Sequence, residues 1–149
     1  MTLAEIDDLV DSFGYAADVL YKAGADGAQL HAAHGYLLSQ VRSFDLLLLD
    51  GSLEANSPSF YSALQFLSGR VNKRTDDYGG SLENRSRIVF RIIKEIKRRV
   101  PVDDFLLSIK MNSSDFSEGG FSGAESGEIA VLLEAAGIEL IELSGGTYE

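Results

Sequence analysis

The side chains best suited to chemistry in this chain follow one short apolar segment. Residues 28–30 read as a buried strand, and His31, His34 and Tyr36 come directly after it; the chain has no other histidine. Two imidazoles and a phenol can donate hydrogen bonds to a substrate oxygen. The spacing alone also allows a pair of partly buried histidines without function, or part of a metal site. A zinc-protease helix needs Glu where this chain has Ala32, so we predict no metal here.

The periodicity of apolar residues predicts the elements that position these side chains. Apolar spacings of three and four residues predict helices, and continuous apolar runs between turn signals predict strands. Thr2, Ser81 and Ser122 are each predicted to cap the start of a helix. Helices are expected over 2–23, 82–99 and 123–136, and strands over 28–31, 105–111 and 138–143. This alternation implies parallel strands joined by helical crossovers.

Polar residues cluster near the C-terminal ends of the three predicted strands. After the histidine segment, Lys110 and Asn112 end the second strand and Ser144 ends the third. Both open α/β sheets and (β/α)₈ barrels place their sites at this edge. The pattern leaves open a three-stranded, flavodoxin-like piece or an arc of a barrel. A glycine-rich dinucleotide turn and a Walker loop are both absent, which argues against a nucleotide-binding fold.

Composition narrows the classes of function further. The 149 residues predict one domain, with 45% apolar and 24% charged residues as in globular proteins. The net charge of −10 argues against a nucleic-acid partner. No apolar run is long enough for a membrane span, and no basic run suggests a membrane surface. The lack of cysteine excludes disulfides within this chain, and no signal peptide is visible, so we expect a cytoplasmic protein.

Two longer blocks of sequence resemble a known family. The run His-Ala-Ala-His-Gly-Tyr from His31, together with the block from Arg74 to Arg85 (Arg-Thr-Asp-Asp-Tyr-Gly-Gly-Ser-Leu-Glu-Asn-Arg), resembles the Old Yellow Enzyme family of NADH:flavin oxidoreductases. The resemblance implies a (β/α)₈ barrel that binds FMN at the C-terminal ends of its strands. It also implies that NADH or NADPH reduces the flavin, which then passes hydride to an activated alkene, typically a small-molecule enone.

The resemblance also implies a role for each candidate residue. His31 and His34 match the pair that binds the carbonyl oxygen of the substrate. Tyr36 matches the tyrosine that supplies a proton to the α-carbon, and is the implied catalytic residue. Lys110 falls where many members carry an arginine beside the flavin, so it is the implied cofactor-binding residue; a lysine keeps the charge but loses the planar fork. The block from Asn72 to Arg85 is expected to be structural.

By this resemblance the chain covers only part of the barrel. The three predicted strands match the fourth, fifth and sixth strands of the family, so we interpret residues 1–149 as a fragment of an FMN-binding barrel domain. A complete barrel takes about 250 residues. We therefore expect weak or absent FMN binding by the chain alone. The alternative functions are an inactive remnant, a non-enzymatic interaction fragment, or a small flavodoxin-like binding domain.

Residues 41–65 depart from the family pattern. Removing them joins Gln40 to Phe66 and restores a family-like sequence. The segment begins with Val41, whose codons start with GT, and ends with Gln65, which CAG can encode; these letters match the two ends of an intron. We interpret the segment as an irregular insertion or a retained intron, the alternative being a genuine loop. We expect it to lack a well-packed place in the fold.

Overall fold

The computed structural model of the protein describes residues 1–33 and 66–146. Its helices and strands alternate along these ranges. They are α1 (Leu3–Lys22), β1 (Gly27–Ala32), α2 (Leu82–Arg99), β2 (Leu106–Asn112), α3 (Gly123–Ala135) and β3 (Leu140–Ser144). The predicted order of helices and strands is therefore confirmed for the described residues. Residues 41–65, His34 and Tyr36 lie outside them, and so does the expectation about the packing of the insertion.

The three strands form one parallel sheet in the order β1-β2-β3. In register, Gly27 of β1 lies beside Leu106 of β2, and Ser108 of β2 lies beside Leu140 of β3. The parallel pairing confirms the prediction made from the alternating pattern. Two neighbouring parallel strands need a crossover connection of a dozen or more residues. The segments that contain α2 and α3 provide these connections and return the chain to the end of the sheet where the next strand begins.

One face of the sheet is covered by helices and the other is more open. Leu30, Ile109 and Met111 are buried in the same apolar core as Ile88 and Ile92 of α2. Successive strand residues point to opposite faces, so the residues between these buried ones lie on the second face. That face carries two buried polar side chains, Ser108 and Asn112, and several exposed or half-buried ones, namely Gln29, His31, Lys110, Leu140 and Glu142. The polar strand-end residues are thus separated from the core by the sheet itself.

The predicted helix starts are all observed. Thr2 caps α1, with the Glu5 N–H donating to its hydroxyl (3.2 Å) and the Thr2 N–H donating to the Glu5 carboxylate (2.7 Å). Ser81 caps α2, and Ser122 with Glu125 forms a second reciprocal box at the start of α3. Side-chain oxygens here satisfy backbone N–H groups that have no partner within the helix.

The third strand begins later than predicted, at Leu140 rather than at residue 138. Gly137, in the left-handed region at φ 87°, ends α3, and its N–H donates to the Glu134 carbonyl (2.8 Å). The Ile138 N–H also turns back, to the Leu133 carbonyl (3.0 Å). The apolar residue that extended the predicted strand thus completes the end of the helix.

A buried cation joins the block 66–85 to α3. The Arg85 side chain is only 7% exposed. Its Nε donates to the Gly80 carbonyl (3.0 Å), Nη1 donates to the Leu67 carbonyl, and Nη2 pairs with the Glu125 carboxylate. Burial raises the pKa of Glu125, but hydrogen bonds from Ser122 and Arg85 outweigh it and hold the pKa below its ordinary value. The carboxylate that caps α3 therefore also neutralises Arg85.

Asn72 organises the same block from its other end. Its side chain is buried, and its amide N–H groups donate to the carbonyls of Phe66 (2.8 Å) and Tyr78 (2.7 Å). Its amide oxygen accepts from the Arg74 N–H (3.0 Å). These contacts hold Phe66 and Tyr78, at the two ends of this stretch, close to one side chain.

We predict opposite effects on stability from two glycine substitutions. A Cβ at Gly27 would lie 2.3 Å from the Leu106 carbonyl oxygen, so Gly27→Ala must displace the start of β1 and should lower the free energy of unfolding by about 1–3 kcal/mol. A Cβ at Gly127, inside α3, would meet nothing within 4 Å. Gly127→Ala should therefore raise that free energy by about 0.5–1 kcal/mol. Urea denaturation followed by circular dichroism measures both; equal effects would contradict the close approach at Gly27.

We also predict that Arg85→Met is strongly destabilising. It removes the cationic partner of the Glu125 carboxylate and the donor to two carbonyls, and breaking a buried ion pair from one side costs about 3–5 kcal/mol. The matched control is Arg98→Met on the same helix, whose side chain is 65% exposed and which shares its partner Glu95 with Arg99. It should cost at most about 1 kcal/mol. Similar denaturation midpoints for the two variants would show that Arg85 is not a structural centre.

Candidate functional site

The register of the sheet aligns three polar residues near the C-terminal ends of the strands. His31 of β1 lies beside Lys110 of β2, and Lys110 lies beside Glu142 of β3. Side chains at directly paired positions of neighbouring strands point to the same face. His31, Lys110 and Glu142, hereafter the polar row, therefore cross the sheet on the face away from the helices.

Lys110 and Glu142 form an ion pair within this row. The Lys110 Nζ lies 2.8 Å from a Glu142 carboxylate oxygen. The Lys110 side chain is 25% exposed and that of Glu142 is 48% exposed. The ammonium is therefore partly withdrawn from solvent, while its partner carboxylate faces the open side of the sheet.

The neighbours of Glu142 keep it ionised. The Lys110 ammonium, which donates to it, holds the pKa of Glu142 below its ordinary value; partial burial opposes this shift. The side chains of Gln29 and His31 lower this pKa further. Because Gln29 lies two residues before His31 on β1, it shares the same face of the sheet. One carboxylate on β3 thus interacts with side chains from both other strands.

Hydrogen bonds hold the loop after β2 in place at the end of the sheet where the strands have their C-termini. The Asn112 amide donates to the Asp115 carboxylate (3.1 Å), which also accepts from the Phe121 N–H (2.8 Å). The Ser113 N–H donates to the Ser144 carbonyl (2.8 Å), which ties this loop to the end of β3. Asn112 and Ser144, both noted from the sequence, are therefore adjacent and belong to the rim of the site.

The structure brings together two of the four predicted site residues. His31 and Lys110 occupy paired positions on neighbouring strands. His34 and Tyr36 lie outside the described residues, and their place in the site stays a prediction. Gln29 and Glu142 were missed by the sequence analysis. The signal that could have found Glu142 is its position two residues before Ser144, which places both on one face of the strand.

The described ranges, 1–33 and 66–146, contain neither a metal-binding cluster nor a helix that could span a membrane. Within them, histidine and carboxylate residues nowhere gather in a group of three or more that could hold a metal ion. None of the helices described there is long and apolar enough to cross a membrane.

The comparisons with known proteins agree with this arrangement of strands. A sequence model described as the NADH:flavin oxidoreductase / NADH oxidase family matches residues 54–148. The NADH-dependent flavin oxidoreductase of Aspergillus parasiticus is 37% identical over 145 residues, which are 97% of this chain and 27% of that protein. Cinnamate reductase of Clostridium sporogenes is 32% identical over 164 residues, covering 100% of this chain and 21% of that protein.

Solved structures support the same assignment of the fold. The structure of a 2-naphthoyl-CoA reductase in complex with 2-naphthoyl-CoA aligns with a TM-score of 0.77 and 33% identity, over 99% of this chain and 19% of that one. This confirms the predicted α/β class, a partial (β/α)₈ barrel of about three units, and makes the flavodoxin-like alternative wrong. The chain spans less than a third of the length of each of these three relatives. Because the family model matches more than half of the chain, the chain belongs to the NADH:flavin oxidoreductase / NADH oxidase family.

Proposed function

We propose that this chain supplies part of the active site of an FMN-dependent reductase of activated alkenes, with a small enone-type molecule as its substrate. The observation that carries the proposal is the pairing of His31 with Lys110 at the C-terminal ends of parallel strands. In a barrel this edge is where sites are built. Two relatives are named for conjugated carbonyl compounds, cinnamate and 2-naphthoyl-CoA, which favours an alkene or ring conjugated to a carbonyl group as the substrate class.

The donor set on the open face of the sheet fits FMN. A reduced flavin gains negative charge on its pyrimidine ring, and a nearby cation stabilises that charge. Lys110 supplies a cation on this face, and it lies near the C-terminal end of the middle strand. When bound, FMN would supply the two-electron chemistry that connects a nicotinamide to the alkene.

The residues around His31 would act on the substrate. His31 and His34 would each donate a hydrogen bond to the carbonyl oxygen, where negative charge builds up as the alkene is reduced. Donors already aimed at such an oxygen stabilise the transition state more than the ground state. Tyr36 would transfer its phenolic proton to the α-carbon as a general acid. The reductant is NADH or NADPH, since relatives are named for either nicotinamide.

We predict that FMN binding depends on more of the barrel than this chain contains. The 149-residue chain expressed by itself should bind FMN weakly or not at all. Its few donors must offset about 4–15 kcal/mol of lost translational and rotational freedom. The longest in-frame product that contains residues 1–149 should bind FMN stoichiometrically. Quenching of flavin fluorescence measures both, and oxidation of NADPH in the presence of cyclohexenone measures turnover.

The outcomes of this comparison separate the candidate functions. Tight FMN binding by the 149-residue chain, with turnover, would show that three units of the barrel are enough. A longest product that binds no FMN would overturn the proposed function and favour an inactive remnant. An FMN-loaded product that oxidises NADPH but leaves every conjugated carbonyl compound unreduced would overturn only the substrate class.

We predict distinct effects from the two kinds of site residue in the FMN-loaded protein. His31→Ala should lower kcat for cyclohexenone by about 10²–10³-fold, since it removes one donor to the developing charge. Tyr36→Phe should slow alkene reduction by about 10²–10⁴-fold and leave flavin reduction by NADPH unchanged. Stopped-flow spectroscopy follows the two half-reactions separately.

The matched control for Tyr36→Phe is Tyr15→Phe on α1. Tyr15 is 58% exposed and lies in α1, outside the proposed site. Its substitution should change neither half-reaction. A Tyr36→Phe variant that reduces the alkene at the normal rate would remove Tyr36 from the mechanism, and the proton donor would then have to be sought among other groups or solvent.

A further inference from the structure

The Glu142 carboxylate is the one member of the polar row that neither the sequence motifs nor the family resemblance assigns. It lies on β3, directly beside Lys110. We propose that Glu142 is a positioning residue that balances the charge of the Lys110 ammonium, and so sets how strongly the site favours reduced over oxidised FMN. This inference rests on the proposed function, because it needs FMN to bind on the open face of the sheet.

The geometry connects Glu142 to the site through Lys110. A lysine ammonium sits on a flexible stem of four carbons and has no preferred direction of its own. Here the Glu142 carboxylate, 2.8 Å away on the neighbouring strand, gives it one. The Gln29 side chain of β1 also favours the ionised form of Glu142, so side chains of both other strands act on this carboxylate. The ammonium is therefore held along the row and not directed freely into solvent.

The charges of the row explain why this contact matters for a flavin. The pKa of Glu142 lies below its ordinary value, so the carboxylate is ionised at neutral pH. Lys110 and Glu142 together then carry no net charge. A bound flavin would experience a cation whose field is partly cancelled by the carboxylate beside it. Removing the negative charge would leave the full field of the ammonium and stabilise the more negative, reduced flavin.

A purely structural role explains the pair less well. Glu142 is about half exposed, and ion pairs between exposed side chains contribute little to stability. The buried pair of Arg85 with Glu125 is the contrasting case, since it joins separate elements in the interior. The Lys110–Glu142 pair instead lies on the open face, near the strand ends that would meet a ligand.

The test is Glu142→Gln in the FMN-loaded form of the longest in-frame product. Glutamine has the same shape and can still accept a hydrogen bond from Lys110, but it carries no charge. We expect the affinity for reduced FMN, relative to oxidised FMN, to rise about tenfold, which corresponds to ~30 mV for a two-electron couple. Lys110→Met should lower the same ratio. Photoreduction against a reference dye measures it.

Glu95→Gln is the matched control. Glu95 pairs with Arg98 and Arg99 on α2, so its substitution removes one negative charge from an ion pair on a helix. It should leave the ratio unchanged. A ratio that stays within twofold of the wild-type value in Glu142→Gln, or that falls, would overturn the inference. An equal rise in Glu95→Gln would also overturn it, because the effect would then reflect net charge only.

A measurement without flavin distinguishes this inference from the proposed function. The Glu142 carboxyl can be titrated by ¹³C NMR in the flavin-free protein. Lys110→Met should raise the pKa of Glu142 towards its ordinary value, and no change would overturn the pairing on which the inference rests. If the pKa rises but the wild-type protein binds no FMN, the proposed function fails, and the flavin role of Glu142 is overturned with it. If FMN binds and only the redox ratio is insensitive to Glu142→Gln, the proposed function stands and this inference fails.

Discussion

The pairing of β2 with two parallel neighbours is the constraint on which the rest of the site depends. Its hydrogen-bond ladder fixes which residues lie side by side, and so it places His31, Lys110 and Glu142 in one row. A shift of one residue would send the side chains of a strand to the opposite face. Charged groups would then meet the apolar core, and core residues such as Ile109 would meet solvent. Because this exchange would lower the stability of the fold, the register is fixed, and the relative positions of the site residues are fixed with it.

The helices around the sheet are in turn joined by the polar contacts of one buried side chain. Arg85 connects the segment after residue 66, the start of α2 and the start of α3 through three kinds of partner, a loop carbonyl, a turn carbonyl and a capping carboxylate. Two of the helices that cover the sheet, α2 and α3, are thereby tied together at their N-terminal ends. Those ends lie close to the loop after β2, where Asp115 and Phe121 shape the rim. Stability of the scaffold and shape of the rim are thus coupled through one buried cation.

The helix caps and the strands could be predicted from the sequence, because they depend mainly on residues that are close together in the chain. Capping by Thr2, Ser81 and Ser122 depends on residues within one turn of each other, and the apolar runs depend on burial of a whole strand. The partnership of Glu142 with Lys110 could not be predicted in this way, because it depends on the register between two strands separated by a helix. The start of β3 was misplaced for a different, local reason: the apolar run includes Ile138, whose N–H bonds back to the end of the preceding helix. His34 and Tyr36 carry much of the proposed chemistry and lie outside the described residues.

The core lies on one face of the sheet and the candidate site on the other, and this separation has an evolutionary consequence. Core residues such as Leu30 and Met111 alternate along β1 and β2 with residues of the open face, such as Gln29 and Lys110. A change on the open face alters charge and hydrogen bonding without leaving a cavity, so it draws little on the small margin of stability that natural proteins possess. Substitutions on this face can therefore change the reduction potential of a bound flavin and the substrate preference with little effect on folding. A family built on this sheet can diversify its substrates while keeping the same interior.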